Sequence, residues 1–227
     1  MKRSSKGFVL LAALLTFAPQ VLPAERSENH DPLPLSIHVR VHNWAQVSSE
    51  ILIRAEAQAA EIFGKAGVQI TWINCDPAQA NLGDAAECSQ IMTPTSLVVR
   101  ILPHFGVFPG TSSETLGFAV GDLASVSFSR VSEEAAKFKV WPHEVLGPAI
   151  AHEIGHLLGL RGHSLTGIMR ASWGRRDYEA PLLGAFKFAA DQAEQMRAEV
   201  RGCERQQAAE AHSVTVSSHR SSGIDPR

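Results

Sequence analysis

Residues 151–163 read Ala-His-Glu-Ile-Gly-His-Leu-Leu-Gly-Leu-Arg-Gly-His, and this stretch concentrates the chemistry of the chain. Side chains four apart on a helix lie one above the other, so His152 and His156 share a face. Two imidazoles at that spacing can hold one Zn²⁺ through bonds of ~2.0–2.1 Å, and His163 can supply a third nitrogen. Glu153 is one residue round from His152, which sets its carboxylate beside the open coordination position rather than on the metal. There it can take a proton from a zinc-activated water and hand it to a leaving amine. At ~100° per residue, Ile150, Ile154, Leu157 and Leu158 fall on roughly the opposite side, so one helix face is core and the other is site. A His-Glu-x-x-His pattern is expected by chance about 0.03 times in such a chain. The added glycine and third histidine lower that by roughly a hundredfold, which disfavours two unrelated surface histidines.

With these residues the stretch resembles the metzincin clan of zinc endopeptidases. That clan's helix reads His-Glu-x-x-His-x-x-Gly-x-x-His and is followed by a tight turn containing methionine. His152, Glu153, His156 and Gly159 match in place. The resemblance implies that Gly159 ends the helix in a left-handed conformation and swings the chain back toward a third ligand. It also implies that Thr166-Gly167-Ile168-Met169 is the methionine turn, with Met169 an apolar floor under the imidazoles. One departure stands out. The third histidine would fall at position 162, but Gly162 occupies it and His163 follows. The extra residue adds ~3.3–3.6 Å of chain, and a glycine can absorb it as a bulge.

The resemblance spans about residues 35–202 and is specific only over 152–169. It implies an α/β (α+β) domain: a mixed, mostly parallel sheet with an N-terminal helix, an active-site helix and a C-terminal helix. It further implies one catalytic zinc ion, a protein or peptide substrate, and an edge strand near residues 116–120 that pairs with an extended peptide. Tyr178 is a lesser candidate for stabilising an oxyanion, and Glu179 for replacing His163 as third ligand. His143-Glu144 lacks a second histidine at four residues and reads as a helix-entry pair. Arg170 and Trp173 read as surface and packing residues. A competing class of function is an exported zinc-binding or interaction module that does not cleave, although such a site has no use for Glu153.

Several elements must position these residues. The chain of 227 residues accommodates one domain plus tails. Leu35, Ile37, Val39 and Val41 alternate with polar residues as in a half-buried strand, which puts His38 and His42 on the polar face. A helix follows from Ser48 or Ser49 through Lys65, with Ile51, Ala55, Ala59, Ile62 and Ala66 as its apolar stripe and Gly67 as its stop. Val68–Ile73 and Thr95–Leu102 read as strands, the second apolar enough to be covered on both faces. Short strands are expected near Leu116–Val120 and Ser125–Arg130, with Gly121-Asp122 between them. A polar connection containing Glu133, Glu134 and Lys137 leads to the central helix. That helix is expected to begin near Gly147-Pro148, since proline in a first turn forfeits no hydrogen bond. Leu182, Phe186, Ala189, Ala193, Met196 and Val200 predict a last helix over about 182–201.

Lys2, Arg3 and Lys6 precede the apolar run Phe8–Ala18, and small or apolar residues end at Ala24. Residues 1–24 therefore read as a signal peptide directing the chain to the periplasm or outside the cell. Residues 25–34 read as a linker, 35–204 as the catalytic domain and 205–227 as a disordered polar tail. The apolar run is short for ~30 Å of hydrocarbon, which favours a cleaved signal over the rival reading of an uncleaved anchor, and after cleavage no membrane span is expected. In an oxidising compartment Cys75 and Cys88 are expected to pair across a polar loop, which leaves Cys203 over. A formal net charge of −2 provides no global field for nucleic acid, and no such partner is expected.

Overall fold

The alternation from Leu35 to Val41 forms the strand it predicts, and it sits near the middle of a sheet. The computed structural model describes residues 34–75, 86–106, 112, 114–179 and 186–221, with side chains through 212. The signal-like segment 1–24 and residues 25–33 of the linker lie outside these, as does Leu182. Strands β1 (Leu35–Asn43), β2 (Val68–Asn74), β3 (Ser96–Leu102), β4 (Gly117–Val120) and β5 (Leu123–Ser127) form one sheet of order β2-β1-β3-β5-β4. Every neighbouring pair is parallel except β4–β5, so β4 is an antiparallel edge. The architecture is mixed α/β on a mostly parallel sheet, and the apolar β3 is central as its sequence requires.

One face of the sheet carries Ile37, Val39, Val41, Val99, Ile101, Ala124 and Val126, all at most 1 % exposed. Helices α1 (Ser49–Lys65) and α3 (Pro142–Leu157) build the core with it. They come close where Gly147 leaves room: a Cβ there would stand 2.8 Å from the carbonyl oxygen of Ala55. The loop after β2 is closed by a disulfide between Cys75 and Cys88, and Cys203 is a free, half-buried thiol. Among the described residues no helix is long and apolar enough to cross a membrane.

Three elements differ from expectation. The strand expected to run through Arg130 stops at Ser127, and the expected polar connection is helix α2 (Phe128–Phe138). Only Val131 and Ala135 are buried on it, four residues apart, while Arg130–Glu133 and Glu134–Lys137 ion pairs decorate its outer side. So narrow an apolar stripe is easily read as a loop. The central helix starts at Pro142, not near Pro148. Pro142 takes the first helical position, Glu144 accepts the backbone N–H of Trp141 at 2.7 Å, and His143-Glu144 is indeed the entry pair. Pro148 lies inside the helix and is buried. After the short α4 (Arg175–Glu179), the last helix α5 (Ala190–Ser221) starts later than expected and runs through the segment assigned to a disordered tail. Ala189 N–H is capped by the Gln192 side chain at 2.9 Å. Beyond Cys203, the Gln- and Ala-rich sequence has high helix propensity, and Gln206 bonds Glu210 one turn on at 2.9 Å.

Candidate metal centre

The site is built on the last two turns of α3 and the loop that follows. His152, His156 and His163 each bring one side-chain nitrogen into a set lying within 4.8 Å of one another. His152 is buried, His156 half-buried and His163 exposed. Nδ1 of His152 hydrogen-bonds the Ile168 carbonyl at 2.8 Å, and Nδ1 of His156 that of Leu160 at 2.7 Å. A neutral ring that donates through Nδ1 keeps its lone pair on Nε2. The two Nε2 atoms face each other at 3.1 Å. Two lone pairs at that distance repel unless a cation lies between them. Tetrahedral zinc, with bonds of 2.0–2.1 Å, would separate its nitrogens by about 3.3 Å, so the donor set fits that ion. Burial lowers the pKa of His152 to about 4, against a backbone hydrogen bond that raises it, and His156 and His163 lower it further. His163 is also lowered, by burial first and by His156 second. Neutral imidazoles are the form a metal requires.

Two glycines turn the chain from His156 to His163. Gly159 adopts φ +85° and Gly162 φ +75°, and a Cβ at Gly162 would meet nothing within 4 Å. Gly162 thus takes a left-handed conformation, which glycine adopts without strain, immediately before His163. The Gly159 carbonyl accepts a 2.6 Å hydrogen bond from the side chain of Gln195 on α5.

Beneath the histidines lies the loop 164–170. Gly167 has φ +73°, Ile168 N–H bonds the Lys187 carbonyl at 3.0 Å, and Ser164 N–H bonds the Met169 carbonyl at 2.8 Å. Ile168 and Met169 are fully buried. The Ile168 carbonyl accepts from both His152 and Trp173 Nε1, the latter at 3.2 Å. Trp173 also sets its ring 5.7 Å from that of His152, edge to face, so it supports the site directly where the sequence suggested only packing.

Glu153 is 5 % exposed, and its Oε2 is buried without a hydrogen-bond partner. Burial pushes its pKa up to about 8. A buried carboxyl with no donor nearby stays neutral unless a cation approaches. Gly117 on the edge strand flanks it: a Cβ there would stand 2.7 Å from Glu153 Oε1 and 2.8 Å from the Ser125 carbonyl oxygen. Neither Gly117 nor Gln195 was marked by the sequence, because both contacts join elements far apart in the chain.

The lesser candidates make contacts of their own. Tyr178 is buried among Phe138, Trp173 and Phe186, and its hydroxyl has no partner. Glu179 pairs with Arg175 at 3.3 Å on the surface and is not part of the cluster. Arg170 is tied to Asp177 at 2.9 Å.

The sequence matches no protein-family model and no curated protein. Among solved structures, the chain is similar to archaemetzincin from Methanopyrus kandleri, with 18 % identity, a TM-score of 0.49, and coverage of 75 % of this chain and 98 % of that one. It is also similar to metalloproteinase-II from Bacteroides fragilis, with 13 % identity, a TM-score of 0.45, and coverage of 74 % of this chain and 54 % of that one. What the site can do follows from its own residues.

Proposed function

We propose that this chain is an exported zinc-dependent endopeptidase of metzincin type, with His152, His156 and His163 as ligands and Glu153 as general base and acid. The observation that carries this reading is the convergence of three imidazole nitrogens in one set, with a buried carboxyl on the helix of His152 and His156 whose Oε2 has no hydrogen-bond partner. A bound zinc ion would polarise the scissile carbonyl and acidify a water molecule. Its charge also favours the ionised form of Glu153, which burial alone disfavours. Glu153 then takes a proton at a carboxylate oxygen and passes it to the departing amine. β4 is the edge strand of the sheet and flanks Glu153 at Gly117, where an extended peptide can add as a strand. The loop at Thr166–Met169 serves as the methionine turn, holding His152 through the Ile168 carbonyl.

The test is digestion of an unbiased peptide library by the zinc-loaded protein and by Glu153→Ala. The expected result is cleavage that chelation abolishes and that Glu153→Ala loses by about 10²–10⁴-fold with zinc still at one equivalent. Wild-type cleavage by Glu153→Ala overturns the mechanism. No cleavage at all by the zinc-loaded wild type identifies a binding module instead.

A further inference from the structure

The face of the sheet turned away from α1 and α3 carries two arginines and two histidines. Alternation along β1 puts His38, Arg40 and His42 on this face, and the register sets Arg40 beside Val98 and His42 beside Arg100. Arg40 and Arg100 are therefore diagonal neighbours on adjacent strands, about 8 Å apart at Cα from ideal sheet spacings. Arg40 is only 8 % exposed, and its Nε is buried with no hydrogen-bond partner. The Nε of Arg100 is also buried and unpaired. Among the described residues, neither guanidinium forms an ion pair.

Leaving guanidinium N–H groups buried and unpaired is costly, and more so when a second positive charge lies nearby. His42 reports the uncompensated charge: its pKa is lowered by burial and then by Arg100 and Arg40. An acidic neighbour would act in the opposite sense. Access comes from the Arg100 side. Arg100 is half-buried, and its guanidinium stacks 5.0 Å from the ring of Trp44, which is 55 % exposed. Stacking fixes the plane of the guanidinium and leaves its edge donors free, which suits a planar or tetrahedral oxyanion.

We propose that Arg40 and Arg100, flanked by His42 and Trp44, form a binding site for an oxyanion, a carboxylate or a phosphate-like group, on the sheet face opposite the histidine cluster. The site is independent of the peptidase reading, since none of its residues lies in the histidine cluster.

The test is isothermal titration of the full zinc-loaded chain with sodium sulfate and, separately, with sodium acetate, in chloride of matched ionic strength. The expected result is a saturable one-site heat with at least one anion. Sulfate alone marks a phosphate-like ligand, and acetate as well marks a carboxylate. Arg100→Gln should weaken binding at least tenfold while zinc content stays at one equivalent. Because Arg100 is half-buried, this variant tests the site even where substituting the buried Arg40 impairs folding. The proposal is overturned by the absence of saturable heat with either anion, or by equal affinity in Arg100→Gln.

Discussion

Gly117 and Glu153 are held so close that a single methyl group at position 117 would stand 2.7 Å from the Glu153 carboxylate oxygen. The Ser125 carbonyl, 2.8 Å from the same point, blocks escape into the sheet, so either β4 or the carboxylate must move. Displacing a proton-transfer group by about 1 Å costs on the order of 10²-fold in rate. Gly117→Ala is therefore expected to lower kcat by about 10- to 100-fold with zinc content and far-UV dichroism unchanged. A variant with full kcat shows that the carboxylate does not need this space.

His163→Ala tests the proposed third ligand, where the sequence departs from the clan's spacing. The residue is exposed, so its removal leaves the core intact. Losing a supporting hydrogen bond to a metal ligand costs 10–100-fold in metal affinity, and losing a ligand is expected to cost more than about 100-fold. Competition with a chromogenic chelator measures it. Unchanged affinity would remove His163 from the site.

The histidine pair was legible because its geometry is local: four residues on one helix fix the face whatever surrounds it. The glycine turns at 159 and 162 and the Cys75–Cys88 pairing were legible for the same reason. The mostly parallel sheet came from the resemblance, while alternation in β1 and the apolar run in β3 marked two of its strands. Gly117 and Gln195 were not legible, because nothing along the chain reveals that β4 covers Glu153 or that α5 reaches the Gly159 carbonyl. The start of α3 was misread because two prolines, 142 and 148, offered the same signal and only capping by Glu144 distinguishes them.

Tyr178 presents the opposite case, a polar atom whose removal should help. Its hydroxyl is buried without a partner, and its pKa is raised by burial first and by Glu134 and Asp177 next. An unsatisfied buried hydroxyl costs about 1–3 kcal/mol. Tyr178→Phe keeps the ring against Phe138 and Phe186 and should leave the melting temperature equal or a few degrees higher, with kcat/KM within twofold. A hundredfold loss of kcat at unchanged stability would return Tyr178 to the reaction.

The disulfide closes a loop with a sequence separation of 13. Constraint of the unfolded chain by a loop of that length is worth about 3 kcal/mol in the chain-entropy picture. Cys75→Ser/Cys88→Ser should lower unfolding stability by about 2–4 kcal/mol in a denaturant titration while zinc affinity is kept, because neither cysteine belongs to the histidine cluster. A fall in zinc affinity alongside stability would place the loop in contact with the site.

Gly155 sits between His152 and His156 of α3 in sequence but faces Met169 and Phe188. A Cβ there would stand 2.9 Å from Met169 Sδ and 3.0 Å from Phe188 Cε1. Alanine in a helix interior gains up to about 1 kcal/mol over glycine, whereas overpacking a full core costs about 1–3 kcal/mol. Met169 is fully buried and Phe188 is buried beside it, so the overpacking term should win. Gly155→Ala is expected to lose about 1–2 kcal/mol. In a Met169→Ala background the same change should cost less or become neutral, because the sulfur is gone and Phe188, the other close contact, can shift into the space it leaves. A double-mutant cycle by denaturant unfolding reads this coupling. If the two changes add independently, Met169 does not press on α3, and its service as a floor beneath His152 and His156 fails.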